Sequence, residues 1–158
     1  MVLLHRHASA GDRLDSPGLD RARPLDGHGR ADARELTDVL APMEITRVVS
    51  SPLRRCVESV RQLATARGLE IELRDELAPE ASPAKTRELL RALPDSSLVC
   101  THREVIERLF HGRIAAEKGG TWVLARKRGR LVPAEYVPPP TRMPSRLGSL
   151  VRSSSPSR

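Results

Sequence analysis

The sequence predicts an α/β fold over residues 1–138: three layers, α/β/α, around a mostly parallel central sheet, with a β-hairpin at the C-terminal end. Three observations lead there. Short apolar or β-branched runs alternate with amphipathic runs of helical length, as parallel strands alternate with crossover helices. The alternation ends in two strand-like segments around Lys127-Arg128-Gly129-Arg130, a tight-turn signal. Beyond Pro138 every period is lost.

In chain order, Val2 to His5 reads as a short buried strand. Ala8 to Arg23 is rich in Gly, Asp, Ser and Pro and reads as irregular. Asp26 caps a helix to about Leu40, with Ala31, Leu36, Val39 and Leu40 on its apolar face, and Pro42 ends it. Ile45 to Ser50 is a β-branched strand. Pro52 opens a helix to about Arg67, closed by Gly68. Leu69 to Leu73 alternates like a half-buried strand. Ser82-Pro83 caps a helix to about Leu93, Ser97 to Thr101 is an apolar strand, and Arg103 to Phe110 is a short helix. Thr121 to Ala125 and Leu131 to Val137 form the hairpin.

Composition narrows the function. Only 2% of residues are aromatic, namely Phe110, Trp122 and Tyr136, so platforms for stacking nucleic-acid bases are nearly absent. The net charge of +7 owes four of its units to Arg142, Arg146, Arg152 and Arg158 in an acid-free end segment. Residues 139–158 read as a disordered Arg/Ser/Pro-rich tail. Basicity alone therefore argues little for a nucleic-acid partner. Cys56 and Cys100 belong to no C-x-x-C pair or zinc-type cluster and read as packed free thiols in a reducing compartment. Met1-Val2-Leu3-Leu4 is too short for a signal peptide, and no run approaches the roughly 20 apolar residues that span a bilayer. The expectation is a cytoplasmic protein without a membrane partner.

Ligands of α/β sheets gather at the carboxyl ends of the strands. Three such ends carry unusual residues here: His5-Arg6-His7, Ser50-Ser51-Pro52-Leu53-Arg54-Arg55 and Thr101-His102. Histidines and arginines converge without a neighbouring block of carboxylates, which makes an electropositive pocket suited to phosphate. His5 and His7 share a strand face and could ligate metal, but clustered guanidiniums would repel a cation. Ser9 either donates to phosphate through its hydroxyl or backbone N–H, or is a turn residue. Arg13, Arg21 and Arg23 either line the entrance or are solvated loop charges. His28 and His111 read as surface residues.

These segments resemble the histidine phosphatase superfamily, phosphoglycerate mutase-like in fold. The likeness is to its short bacterial branch, which holds SixA-type phosphohistidine phosphatases and domains fused to Nudix hydrolases. It is carried by Leu4-His5-Arg6-His7-Ala8-Ser9-Ala10-Gly11, Arg23-Pro24-Leu25-Asp26-Gly27-His28-Gly29, Ser50-Ser51-Pro52-Leu53-Arg54-Arg55-Cys56 and Val99-Cys100-Thr101-His102, with the C-terminal hairpin in addition. The resemblance implies that His7 is the nucleophile, that Arg6 and Arg55 bind phosphoryl oxygens, and that His102 adds a hydrogen bond. Arg55 is chosen over Arg54 because the family's arginine directly precedes a small residue, here Cys56. For a general acid, Asp75-Glu76-Leu77-Ala78-Pro79-Glu80 offers three carboxylates. Glu80 is preferred because the strand and its flanking turn have ended by then. Asp12 is a further candidate.

The expected function is a metal-independent, cofactor-free phosphatase with a phosphohistidine intermediate. Its expected substrate is phosphohistidine protein or a small nucleotide-like phosphate, and a separate Nudix hydrolase is a conceivable partner. The alternatives are a phosphate-binding module without turnover and a basic nucleic-acid-binding protein.

Overall fold

The computed structural model describes residues 1–142. Its elements follow the chain as β1 (Val2–Arg6), α1 (Pro17–Arg21), α2 (Gly27–Val39), β2 (Arg47–Ser50), α3 (Arg54–Ala66), β3 (Ile71–Leu73), α4 (Pro83–Ala92), β4 (Ser97–Thr101), α5 (Arg103–Leu109), β5 (Thr121–Lys127) and β6 (Arg130–Val137). One six-stranded sheet has the order β3-β2-β4-β1-β5-β6. The first four of these run parallel, while β5 and β6 are antiparallel additions beside β1. This is the three-layer α/β class that the alternation of elements predicts, hairpin included.

Strand alternation places the two cores. Val2 and Leu4 of β1 join Val99, Leu89, Leu90, Val105 and Ile106 under α4 and α5. Leu3 joins Val48, Leu98, Leu36, Val60 and Leu63 under α2 and α3. Period-two alternation thus feeds both faces from one strand. Asp26 caps α2 by accepting from Gly29 N at 2.8 Å, and Gly68, at φ 65, closes α3 in the left-handed conformation. Arg128 and Gly129 both have positive φ, 49 and 75, as the hairpin turn between β5 and β6 requires.

Some boundaries depart from the sequence-based expectation; β2 begins at Arg47 rather than Ile45, and β3 at Ile71 rather than Leu69. The stretch from Ala8 to Arg23 contains the short helix α1, started by Pro17 and hidden in sequence by its turn-forming neighbours. Helix α3 starts at Arg54, because Leu53 is extended at its N-cap, and Pro52 stays outside. Within the segment expected to be a disordered tail, Pro140–Arg142 forms a single 3-10 turn. Pro140 is buried there and Thr141 N donates to Asp32 Oδ1 at 3.0 Å, a tertiary contact invisible to composition. Residues 143–158 of that tail lie outside the described residues. No helix among the described residues is long and apolar enough to cross a membrane.

One contact fixes the loop that follows β1. A Cβ on Gly29 would stand 2.0 Å from the Ser9 carbonyl oxygen, a backbone atom that cannot step aside. Gly29→Ala therefore lowers unfolding stability by roughly 1–3 kcal/mol, although alanine ordinarily favours a helix. Gly27→Ala, whose Cβ meets only the Arg30 guanidinium at 3.7 Å, is neutral or stabilising. Urea titration of the pair decides, and equal stabilisation by both would contradict the packing described.

Candidate active site

The carboxyl ends of β1, β2 and β4 are sewn together by their backbones. His7 N donates to Thr101 O at 3.0 Å, and Ser51 N donates to Cys100 O at 3.0 Å. That stitching brings His7, Ser51 and His102 side by side, with the His7 and His102 rings edge to face at 5.2 Å. His7 is 8% exposed and His102 is fully buried.

The His7 ring is oriented by its own loop. Its Nδ1 lies 2.8 Å from the Ala8 carbonyl oxygen. A carbonyl only accepts, so Nδ1 carries the proton and Nε2 keeps its lone pair. Burial, with Arg55, Arg6 and Arg23 nearby, lowers the His7 pKa to about 3. At neutral pH the ring is a neutral imidazole with a bare Nε2. Burial likewise lowers His102 to about 2 and His5 to about 4. His5 faces Thr121, whose Oγ1 is 2.8 Å from its Nδ1, so it packs in the sheet apart from His7.

The guanidiniums are held from behind. Arg55, 3% exposed, donates through one terminal nitrogen to Asp20 O at 2.8 Å and lies 3.5 Å from Asp20 Oδ2 through the other. Arg23 Nε donates to Asp20 Oδ1 at 3.0 Å, and Arg23 also donates to the carbonyls of Ala10 and Gly11. Arg6 donates to Ala116 O at 2.6 Å. Arg54, by contrast, is exposed and paired with Glu58. Among the described residues, three buried side-chain nitrogens or oxygens have no hydrogen-bond partner: Arg6 Nε, Arg55 Nε and His102 Nδ1. All three belong to residues around His7. Buried polar groups are nearly always satisfied, so three such atoms around one histidine are unusual.

Each carboxylate expected to supply an acid is paired with an arginine or exposed. Glu80 accepts from Arg21 at 2.7 Å with its side chain 64% exposed. Its own backbone amide and Arg21 hold its carboxyl below the ordinary range, so it is ionised at neutral pH. Glu76 pairs with Arg74, which lowers its carboxyl too. Asp75 and Asp12 are exposed. Ser9 also differs from the phosphate-donor expectation in its hydroxyl, which donates to Asp26 Oδ2 at 2.6 Å.

Sequence reasoning missed three residues. Asp20 is a buried carboxylate that gathers Arg23, Arg55 and the Leu14 amide. Burial would raise its pKa, but these partners hold it below the ordinary 3.8. Ser59 ties α3 to the loop, accepting from Ala8 N at 2.9 Å and donating to Arg55 O at 2.6 Å. Ser51 lies against His102 at 2.8 Å. Single polar residues in loops or helices leave no periodic signal, and only the Ser16-Pro17 pair before Asp20 hinted at order. No group of three or more metal-ligating side chains is present among the described residues.

A parallel sheet whose carboxyl ends present paired histidines among buried arginines is the architecture of an anion-handling α/β protein. The family model of the histidine phosphatase superfamily, branch 1, matches residues 2–79. An 8-oxo-(d)GTP phosphatase of Mycolicibacterium smegmatis is 33% identical over an aligned length of 155, covering 88% of this chain and 48% of that protein. This chain thus spans about half the length of that curated relative. The structure of the protein histidine phosphatase SixA complexed with tungstate superposes with TM-score 0.74 at 23% identity, covering 87% of this chain and 96% of that one. A phosphoserine phosphatase of Entamoeba histolytica, in complex with 3-phosphoglyceric acid, superposes with TM-score 0.66 at 14% identity, covering 85% and 95%. At these identities the structural likeness is one of fold. The chain belongs to the histidine phosphatase superfamily.

The three buried histidines have a consequence for stability. Each has a folded pKa below the unfolded value of 6.5, near 4, 3 and 2. Below pH 6.5 the unfolded chain therefore binds more protons than the folded one. Stability is complete above pH 6.5 and is lost as pH falls toward the folded values, at up to roughly 4 kcal/mol per pH unit when all three differ. Urea titrations between pH 8 and pH 4.5 should be level down to about 6.5 and then decline steeply. Stability unchanged to pH 5 would contradict the burial of neutral imidazoles.

Proposed function

We propose that the chain is a metal-independent phosphatase in which His7 is the nucleophile. The observation that carries this is the trio of unpartnered buried nitrogens on Arg6, Arg55 and His102 beside a histidine with a bare Nε2. The His7 Nε2 lone pair attacks phosphorus while the bond to the leaving group breaks on the opposite side. Arg6, Arg55 and His102 hold the equatorial oxygens, where negative charge is spread. Water then attacks the phosphohistidine. Inorganic phosphate departs, and the N–P electron pair returns to Nε2. The pocket's own positive charge takes the place that a cation would otherwise fill.

The substrates proposed are phosphohistidine protein or a small nucleotide-like phosphate. Three features support them. Glu80 and Glu76 are ionised and paired with arginines, so neither offers a proton to a poor alkoxide leaving group. A phosphoramidate or phosphoanhydride depends less on one. The relatives include an 8-oxo-(d)GTP phosphatase and a protein histidine phosphatase, whose names cover both chemistries. Two free buried thiols, Cys56 and Cys100, accord with a reducing cytoplasmic location, and a separate Nudix hydrolase is the partner this reading favours.

A panel of aryl phosphate, phosphohistidine protein and nucleoside di- and triphosphates, assayed with chelator present, tests the proposal. Phosphate release should persist with chelator and fall steeply as the leaving group becomes more basic. In His7→Ala it should drop by roughly three orders of magnitude or more. Release that is indifferent to His7→Ala, or abolished by chelator, would refute it. Tight orthovanadate binding with no release from any substrate would instead identify a binding module.

A further inference from the structure

Ser51 has no part in the steps above, yet it is fully buried against His102. Its Oγ lies 2.8 Å from His102 Nε2, and Leu53 N donates to the same oxygen at 3.4 Å. Cys56 Sγ stands 3.5 Å from that ring nitrogen as well. Because burial keeps the ring neutral, one of its nitrogens carries the proton and the other does not.

Two arrangements are available. In the first, Nε2–H donates to Ser51 Oγ. The oxygen then receives two N–H groups, its own proton has no acceptor among these neighbours, and a bare Nδ1 lone pair is left buried and unpartnered. In the second, the Ser51 hydroxyl donates to Nε2 while accepting from Leu53. Every group around Ser51 is then satisfied, and the single remainder is an N–H at Nδ1. A stranded buried hydroxyl proton costs the full desolvation of that group. A lone pair turned toward a bound anion would also repel it. Both considerations select the second arrangement, and the neighbouring thiol, a weak donor rather than a strong acceptor, agrees with it.

We propose that Ser51 is a positioning residue: its Oγ–H···Nε2 bond sets His102 in the Nδ1–H tautomer and so makes it a hydrogen-bond donor to a phosphoryl oxygen. The pocket then holds two neutral imidazoles in complementary states. His7 gives its Nδ1 proton to Ala8 O and offers a lone pair at Nε2, whereas His102 takes a proton bond at Nε2 and offers N–H at Nδ1. The identity of the guest rests on the phosphatase reading; the tautomer does not.

Nitrogen NMR of the ¹⁵N-histidine-labelled chain, without ligand and at neutral pH, reads the tautomer directly. His102 should show a protonated Nδ1 and a bare Nε2. In Ser51→Ala that preference should be lost and orthovanadate affinity should fall roughly tenfold to a hundredfold, the range of a lost bond to a charged group. Ser51→Thr, which keeps the hydroxyl, should restore both. A proton on Nε2 in the native chain overturns the proposal, as does a Ser51→Ala variant with unchanged tautomer and affinity. If Ser51→Ala does not fold, the native spectrum decides alone. A native chain with Nδ1–H on His102 and normal vanadate binding but no turnover would uphold this inference while refuting the phosphatase reading.

Discussion

The hydrogen bond from His7 Nδ1 to the Ala8 carbonyl is the constraint on which the site depends. Burial makes the imidazole neutral, but neutrality leaves open which nitrogen is bare, and one backbone carbonyl decides it. That carbonyl must stand still, and much of the surrounding structure serves this end. Ser59 accepts from Ala8 N, Asp26 N donates to Ser9 O, and Gly11 N and the Ser9 hydroxyl both donate to the Asp26 carboxylate. Gly29 has no side chain, so the start of α2 can press on Ser9. The same Asp26 caps α2, so the helix and the loop share one anchor.

Charge at this end of the sheet is managed by a single buried carboxylate. Asp20 sets one negative charge against the two guanidiniums of Arg23 and Arg55, so net positive charge remains, and Arg55 Nε is left without a partner. Arg55 is bound partly through the Asp20 backbone carbonyl, which orients it without adding negative charge. A second carboxylate in the pocket would neutralise the field that attracts an anion. Glu80 and Glu76 pair with Arg21 and Arg74. On the proposed reading, positive charge holds the substrate while Glu80 and Glu76 are ionised, and the proposed substrates rest on that imbalance.

Much of this was legible in the sequence. The alternation of runs gave away the parallel sheet, and the hairpin was announced by Arg128-Gly129 between two strand-like segments. The strand ends that lead into His7, Arg55 and His102 were readable because α/β sheets place their sites there, and the roles of the three residues came from the family resemblance. Arg55 was preferred to Arg54 because the resembled family's arginine precedes a small residue; Arg55 is buried and Arg54 is exposed. Asp20 escaped notice because a polar residue buried in a Gly- and Pro-rich loop looks like any solvated one. Ser51 and Ser59 escaped because their roles are tertiary bonds to residues 51 positions away. Glu80 was picked on sequence position alone, and its pairing with Arg21 is a tertiary contact that position does not reveal.

The central claim is that His7 reacts through Nε2 because Ala8 occupies Nδ1. Rapid quenching during turnover of a ³²P-labelled substrate, followed by peptide mapping and phosphorus NMR, tests it most directly. The account predicts an acid-labile phosphoryl group on His7, attached at Nε2. Phosphate on another residue, attachment at Nδ1, or turnover without any trapped phosphohistidine would contradict it.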